Sequence, residues 1–337
     1  MGDDRWAMIG ARWMGATPHL AAVLTVLVVV SASGQSGVTA SKPTCPVLPA
    51  LDSAQLISDV SRLADDSMRG RRIGSPESAK VRDFLAARFD ALGLGVIGGG
   101  RIQKFVVPPS ARRPDSLRGA NVVGVIRGTT TPDAYVVVTA HFDHVGVGRP
   151  LNGDSIYNGA DDNASGTVAL LAMARHFMQS KPAHSIVFAL VDGEESGELG
   201  SRAFVANPPV PLEKMLIDVN LDMVGRNIRN ELYASGPARY PQLRPLVDEA
   251  VACSPPQVIL IAGHDSGGRG YDWTNQSDQA AFHARGVPFV YFGEEDHPDY
   301  HRPGDSADRL MPAFLVNAAR LITDFVRRFD ERPVVRR

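Results

Sequence analysis

The stretch Tyr135-Val136-Val137-Val138-Thr139-Ala140-His141-Phe142-Asp143 is an apolar run that ends in metal-binding residue types. Tyr135 to Thr139 does not alternate polar with apolar, so neither face is reserved for water. That is the pattern of a strand buried on both sides. His141 and Asp143 then stand where the strand gives way to loop. Three more runs repeat the arrangement. Ser185 to Leu190 leads into Asp192-Gly193-Glu194-Glu195, and Leu216 to Leu221 leads into Asp222. Pro288 to Tyr291 leads into a loop with Asp299-Tyr300-His301. A fifth polar fragment, Gly159-Ala160-Asp161-Asp162-Asn163, precedes a helical stretch.

Working outward, Gln103 to Val107 and Asn121 to Ile126 read as further strands. Asp52 or Ser53 can cap a helix whose face is Leu56, Ile57, Val60 and Leu63. The segment Gly70-Arg71-Arg72-Ile73-Gly74 breaks it. Ser75 then caps a second helix with Pro76 at its first position, and Gly93 ends that helix. Ser165 is positioned to cap a helix from Gly166 to Phe177, and Met311 to Phe329 reads as a closing helix. Strands alternating with helices predict an α/β fold, a mixed, mostly parallel central sheet with helices on both faces. Ligands of such sheets gather outside the carboxyl ends of the strands. The polar fragments fall there.

Bulk properties exclude several functions. The formal net charge of −2 gives no electrostatic footprint for nucleic acid or for an anionic membrane surface. The chain has two cysteines, Cys45 and Cys253, too few for zinc held by thiolates. They could bridge in an oxidising compartment, though nothing in the sequence shows that they meet. Leu20 to Val30 is apolar but shorter than the roughly 20 residues of a membrane span. Arg5 and Arg12 precede it and small residues follow at 31–34. Residues 1–34 therefore read as a signal peptide or N-terminal anchor, and 35–50 as a linker. Residues 51–337 show no composition break and read as a single domain. The expected localisation is secreted or periplasmic, with membrane contact only if the N-terminal segment is uncleaved.

Any one polar fragment is an ordinary turn. Five of them at strand ends supply two histidines and three carboxylates, enough for two zinc ions, with one glutamate to spare. Two such ions about 3.5–4 Å apart need a bridging carboxylate to offset their repulsion. Asp143, two residues beyond His141, is placed to accept that ring's other N–H. His144, His264, His283 and His297 read as loop histidines with no assigned role. Residues 262–278, rich in glycine and polar groups, read as a wall of the substrate pocket.

From about residue 54 to 327 the chain resembles the di-zinc aminopeptidase family, peptidase family twenty-eight. Its relatives include leucyl aminopeptidases, glutamate carboxypeptidase and glutaminyl cyclase. The matching stretches are Ala140-His141-Phe142-Asp143-His144, residues 158–166, Asp192-Gly193-Glu194-Glu195, Leu199-Gly200-Ser201, residues 220–225 and Tyr300-His301-Arg302-Pro303, and the early Gly70-Arg71-Arg72-Ile73-Gly74-Ser75 segment also looks like the family's. The resemblance implies that His141 and Asp222 hold one zinc, that Glu195 and His301 hold the other, and that Asp162 bridges them. It makes Glu194 the general base and Tyr300 a group that polarises the scissile carbonyl. It further implies a cis peptide between Asp162 and Asn163, and peptides as substrates. One departure stands out. Where the family often has Ser-Asp-His, this chain has Ser277-Asp278-Gln279. The rival readings are a single-zinc glutaminyl cyclase and an inactive binding module. Retention of all five ligand positions argues against the first and Glu194 against the second. A carboxypeptidase for acidic C-termini would need a basic pocket, for which Arg226 and Arg269 are the only hints.

Overall fold

The computed structural model describes residues 45–109, 114–267 and 271–334. Residues 1–34, most of the 35–50 linker and Arg269 lie outside these. In chain order the main elements are α1 (Ser53–Leu63), α2 (Pro76–Leu92), β1 (Ile102–Val107), β2 (Leu117–Ile126), β3 (Thr131–His141), β4 (Gly146–Leu151) and β5 (Asp154–Tyr157). They continue with α3 (Gly166–Gln179), β6 (His184–Val191), α4 (Leu199–Ala206), β7 (Met215–Leu221), β8 (Glu231–Ser235) and α5 (Arg244–Ala252). The last are β9 (Ile259–Ala262), α6 (Gln279–His283), β10 (Phe289–Gly293) and α7 (Pro312–Glu331).

Eight strands form one sheet in the order β1-β2-β6-β3-β7-β10-β8-β9, and β4 with β5 makes a separate hairpin. The four central strands β6, β3, β7 and β10 run parallel. β1, β2 and β8 pair antiparallel towards the edges. The expected mixed, mostly parallel sheet with flanking helices is therefore present. Period-two alternation sorts each central strand between two cores. Val136, Val138, Ile186, Phe188 and Leu190 pack with residues of α1, α2, α3 and α7. Val137, Val187, Ala189 and Val191 pack on the opposite face with Phe204 of α4 and Phe282 of α6.

Local signals behave mostly as read. Asp52 Oδ1 accepts from the Gln55 N–H, and Ser75 Oγ accepts from the Ser78 N–H. Gly93 closes α2 in the left-handed region at φ 78°. Ser165 does not cap α3. It is already helical and donates to the Asp161 carbonyl at 2.7 Å. Asn163 Oδ1 takes the free Gly166 N–H at 2.9 Å instead. The turn before α3 is itself helical, so the cap moves two residues upstream. Cys45 and Cys253 are joined, with Cα atoms 5.3 Å apart. No helix among the described residues is long and apolar enough to cross a membrane.

Because β6, β3, β7 and β10 are parallel, their carboxyl ends share one edge of the sheet. That edge receives His141 directly from β3, Glu194 and Glu195 just after β6, Asp222 just after β7 and the loop to His301 after β10.

Candidate metal centre

The structure brings the five residues of the expected ligand set together at this edge. His141 Nε2 lies 3.4 Å from Asp162 Oδ1 and 3.2 Å from Asp222 Oδ1. His301 Nε2 lies 3.1 Å from Asp162 Oδ2 and 3.0 Å from Glu195 Oε2. Asp162 thus turns one oxygen to each histidine. Neighbouring ligands of one tetrahedral zinc, at bonds of ~2.0–2.2 Å, stand roughly 3.3 Å apart. Two imidazoles, three carboxylates and no thiolate suit zinc in particular. Glu195 Oε1 is buried and without a hydrogen bond, a cost that a cation would remove. The residues fit the implied group on spacing, donor chemistry and unpartnered atoms.

Backbone geometry sets this arrangement. The Asp162–Asn163 peptide is cis, as the resemblance implies. Gly159 sits at φ 58°, and a Cβ there would stand 2.2 Å from the Asp162 carbonyl and 2.4 Å from the His144 ring. The Asp305 carboxylate accepts from the N–H groups of Asp161 and Asp162 at 2.9 and 3.0 Å. Fully buried Arg71 holds the loops from below. It donates to the carbonyls of Phe142 (2.5 Å), Gly159 (2.5 Å), Leu63 (3.3 Å), Asp162 (3.3 Å) and Asn158. All five guanidinium N–H groups find carbonyls. In the sequence this residue stands in the helix-breaking segment that also resembles the family's, with no role assigned to it.

Electrostatics separate the paired glutamates. Burial pushes the Glu194 carboxyl well above the ordinary range. His141 opposes the shift, and the carboxylates of Asp222, Asp278 and Glu195 add to it. Burial also acts to raise Glu195, but the His144 and His301 rings outweigh it and hold Glu195 well below that range. Asp162 is pushed up to about 7 by burial and by Glu195. Two neighbouring carboxyls driven apart in this way suit a proton carrier and a ligand respectively.

Other expectations change in detail. The Asp143 carboxylate does not take the His141 ring N–H. Its Oδ1 is 3.7 Å from Nδ1, beyond hydrogen-bond reach, and the nearer partner is the Asp143 carbonyl at 3.3 Å. Asp143 Oδ1 instead accepts the Glu194 N–H at 3.0 Å, so it fixes the loop bearing both glutamates. His144 stands in the loop between β3 and β4, as read, but is fully buried there. Its Nδ1 lies 2.7 Å from Glu195 Oε1, close but not aligned as a hydrogen bond. Its place in the His141-Phe142-Asp143-His144 fragment was the available signal.

The Ser277-Asp278-Gln279 departure is absorbed by a buried chain of hydrogen bonds. Ser277 Oγ donates to Asp222 Oδ2 at 2.7 Å. Asn220 Nδ2 lies 3.0 Å from Ser277 Oγ and donates to Gln279 Oε1 at 2.8 Å. Gln279 Nε2 donates to the Trp273 carbonyl at 2.6 Å. Gln279 thereby ties the Asp222 strand to the 262–278 loop. Trp273 and Gln276 of that loop border the cleft above the centre with Glu194, Tyr291 and Tyr300. The Tyr300 ring stacks on His301 with centroids 3.9 Å apart. No lysine or arginine lines the cleft among the described residues. Arg226 is engaged with Asp299 at 2.6 Å.

The profile of Peptidase family M28 matches residues 121–326. The chain is 31% identical to Aminopeptidase YwaD of Bacillus subtilis over 217 residues, which is 60% of this chain and 43% of that one. It is 32% identical to a glutamate carboxypeptidase 2 homolog of Caenorhabditis elegans over 194 residues, covering 55% of this chain and 22% of that one. The chain thus spans less than half of the length of either relative. The crystal structure of a glutaminyl cyclase from Porphyromonas gingivalis superimposes with a TM-score of 0.65 at 20% identity, over 82% of this chain and 98% of that one. These proteins differ in activity, so likeness fixes the fold and the family but not the reaction. With the matched segment enclosing all five clustered residues, the chain belongs to peptidase family M28.

Proposed function

We propose that this chain is a co-catalytic di-zinc metallopeptidase, acting as an aminopeptidase on the N-terminal residues of peptides. His141 and Asp222 would hold one zinc, Glu195 and His301 the other, and Asp162 would bridge them. The observation that carries this reading is the split of Asp162, whose two oxygens face two different histidines, each with its own carboxylate. Bound zinc would supply Lewis-acid polarisation and a more acidic water.

The remaining steps belong to the chain. Glu194 borders the cleft beside the centre and belongs to neither set. It accepts the proton of the attacking water and returns it to the leaving amine, work worth about 10²–10⁴-fold. Tyr300 borders the same cleft, and its hydroxyl would donate to the oxyanion as charge builds. A cleft bordered by carboxylates and lacking lysine and arginine among the described residues favours a substrate's free α-amine over an acidic C-terminus. That supports aminopeptidase over carboxypeptidase action. We further read the chain as exported, with residues 1–34 as the signal segment or anchor. The Cys45–Cys253 bridge supports an oxidising compartment.

The test is Glu194→Gln assayed with aminoacyl-anilides alongside zinc content. Full metal content with turnover reduced at least about 100-fold is expected. Near-normal turnover in the metal-loaded variant would remove Glu194 as the base. One zinc per chain with cyclisation of N-terminal glutamine would favour the cyclase reading.

A further inference from the structure

A second set of ligand-type side chains lies beside the proposed pair and is not used by it. Asp161, Glu294 and His297 each offer a donor atom within 4.8 Å of the others. Asp161 is fully buried and Glu294 is 2% exposed. Both Glu294 carboxylate oxygens, Asp161 Oδ2 and both His297 ring nitrogens are buried without a hydrogen bond of ordinary geometry. Asp161 Oδ1 is occupied, since it accepts the Gly225 N–H at 2.8 Å. That leaves Oδ2 for the cluster. These side chains face chiefly one another, and two carboxyl groups buried side by side are costly unless something binds between them.

The spacing says what would bind. His297 Nε2 stands 3.3 Å from Asp161 Oδ2. This matches the 3.0–3.4 Å separations between histidine and carboxylate atoms at the main centre. It is also the roughly 3.3 Å that one tetrahedral ion imposes on adjacent ligands. Two carboxylates and one imidazole form a hard-to-borderline donor set that suits zinc or a similar divalent ion. The cationic group nearby, Arg226, pairs through Nη2 with Asp299 at 2.6 Å. Entry is open from two sides. Glu294 borders the cleft, and His297 borders a neighbouring surface pocket.

We propose that Asp161, Glu294 and His297 form a third divalent-cation site, separate from the pair. Asp161 directly precedes Asp162, and His297 stands on the loop that carries Tyr300 and His301. An ion here would clasp these two loops together and so hold the reacting groups in register, without touching substrate.

The experiment uses the full chain, crystallised without added metal after loading with zinc and buffer exchange. Anomalous scattering at the zinc edge is expected to show a peak within ~2.0–2.2 Å of His297 Nε2, in addition to peaks at His141 and His301. Elemental analysis is expected to give three zinc ions per chain, and Glu294→Gln is expected to lower the count by one. Absence of a peak at His297 in the wild-type map overturns the proposal and leaves a proton shared between Asp161 and Glu294. A count unchanged by Glu294→Gln also overturns it. The wild-type map decides even where the variant fails to fold. His141→Ala reads the main pair separately, since loss of an ion there is independent of the peak at His297.

Discussion

Replacing Arg71 by Met removes the post on which the metal-binding loops rest while keeping much of its volume. The guanidinium is fully buried and donates to five carbonyls from three segments of chain. Burial lowers its affinity for the proton, and the carboxylates of Asp162, Asp305, Asp143 and Glu195 oppose this. An orphaned buried carbonyl costs about 1–3 kcal/mol. The Leu63 and Asp162 contacts are long at 3.3 Å, so three carbonyls carry most of the loss. Water entering the vacated space recovers part of it. Removal of one partner from a buried charged network costs about 3–5 kcal/mol. We expect Arg71→Met to lose that much, a large share of the ~5–15 kcal/mol that holds a domain. The assay is urea unfolding followed by circular dichroism, with and without chelator, together with zinc retention. The loss should persist in chelator, because the broken bonds are within the protein. Arg71→Lys should recover less than half, since an ammonium has three donors and no planar fork. A loss below about 1 kcal/mol with zinc retention unchanged would show that the loops hold their shape without Arg71.

Burial lifts the Asp218 carboxyl well above the ordinary range, with Thr139 opposing. The Thr139 hydroxyl lies 2.9 Å from Asp218 Oδ1 and 3.0 Å from Asn220 Oδ1; its one proton can go to Asn220 while a protonated Asp218 donates to the Thr139 oxygen, so both contacts are satisfied. A carboxyl raised on folding stabilises fully below its unfolded pKa of about 3.9 and loses this as pH climbs through the folded value. Asp218→Asn should therefore be more stable than wild type at alkaline pH by at least about 1 kcal/mol, converging at low pH; parallel pH profiles of melting would count against it. Gln279→Leu should cost about 1–3 kcal/mol by stranding Asn220 and the Trp273 carbonyl. Gln279→His should cost less than half of that, because a neutral imidazole can both accept and donate. Equal losses in chemical denaturation would refute the bridging role of Gln279. Cys45→Ser opens a loop of 208 residues and should lower stability by about 2–5 kcal/mol; thermal melts insensitive to the change would show that the bridge contributes nothing.

The sequence by itself determined the sheet and its ligand-bearing edge. Runs such as Tyr135 to Thr139 and Ser185 to Leu190 lack alternation because both faces are buried, and that is visible without any partner strand. β8 and β9 were not legible. They are short strands at Glu231–Ser235 and Ile259–Ala262, β9 at the sheet's edge and β8 next to it, that depend on pairing with β10 and with each other. The candidate site was legible as residue types at strand ends, because a ligand must be a donor and must sit at a strand's exit. What only the tertiary structure decided is which donors face which. The split of Asp162 between His141 and His301, the move of Asp143 from His141 to the Glu194 N–H, and the burial of His144 all depend on how separate loops close over Arg71. Those relations join residues far apart in the chain, where local pattern carries no information, and they are fixed by the need to satisfy every buried polar group at once.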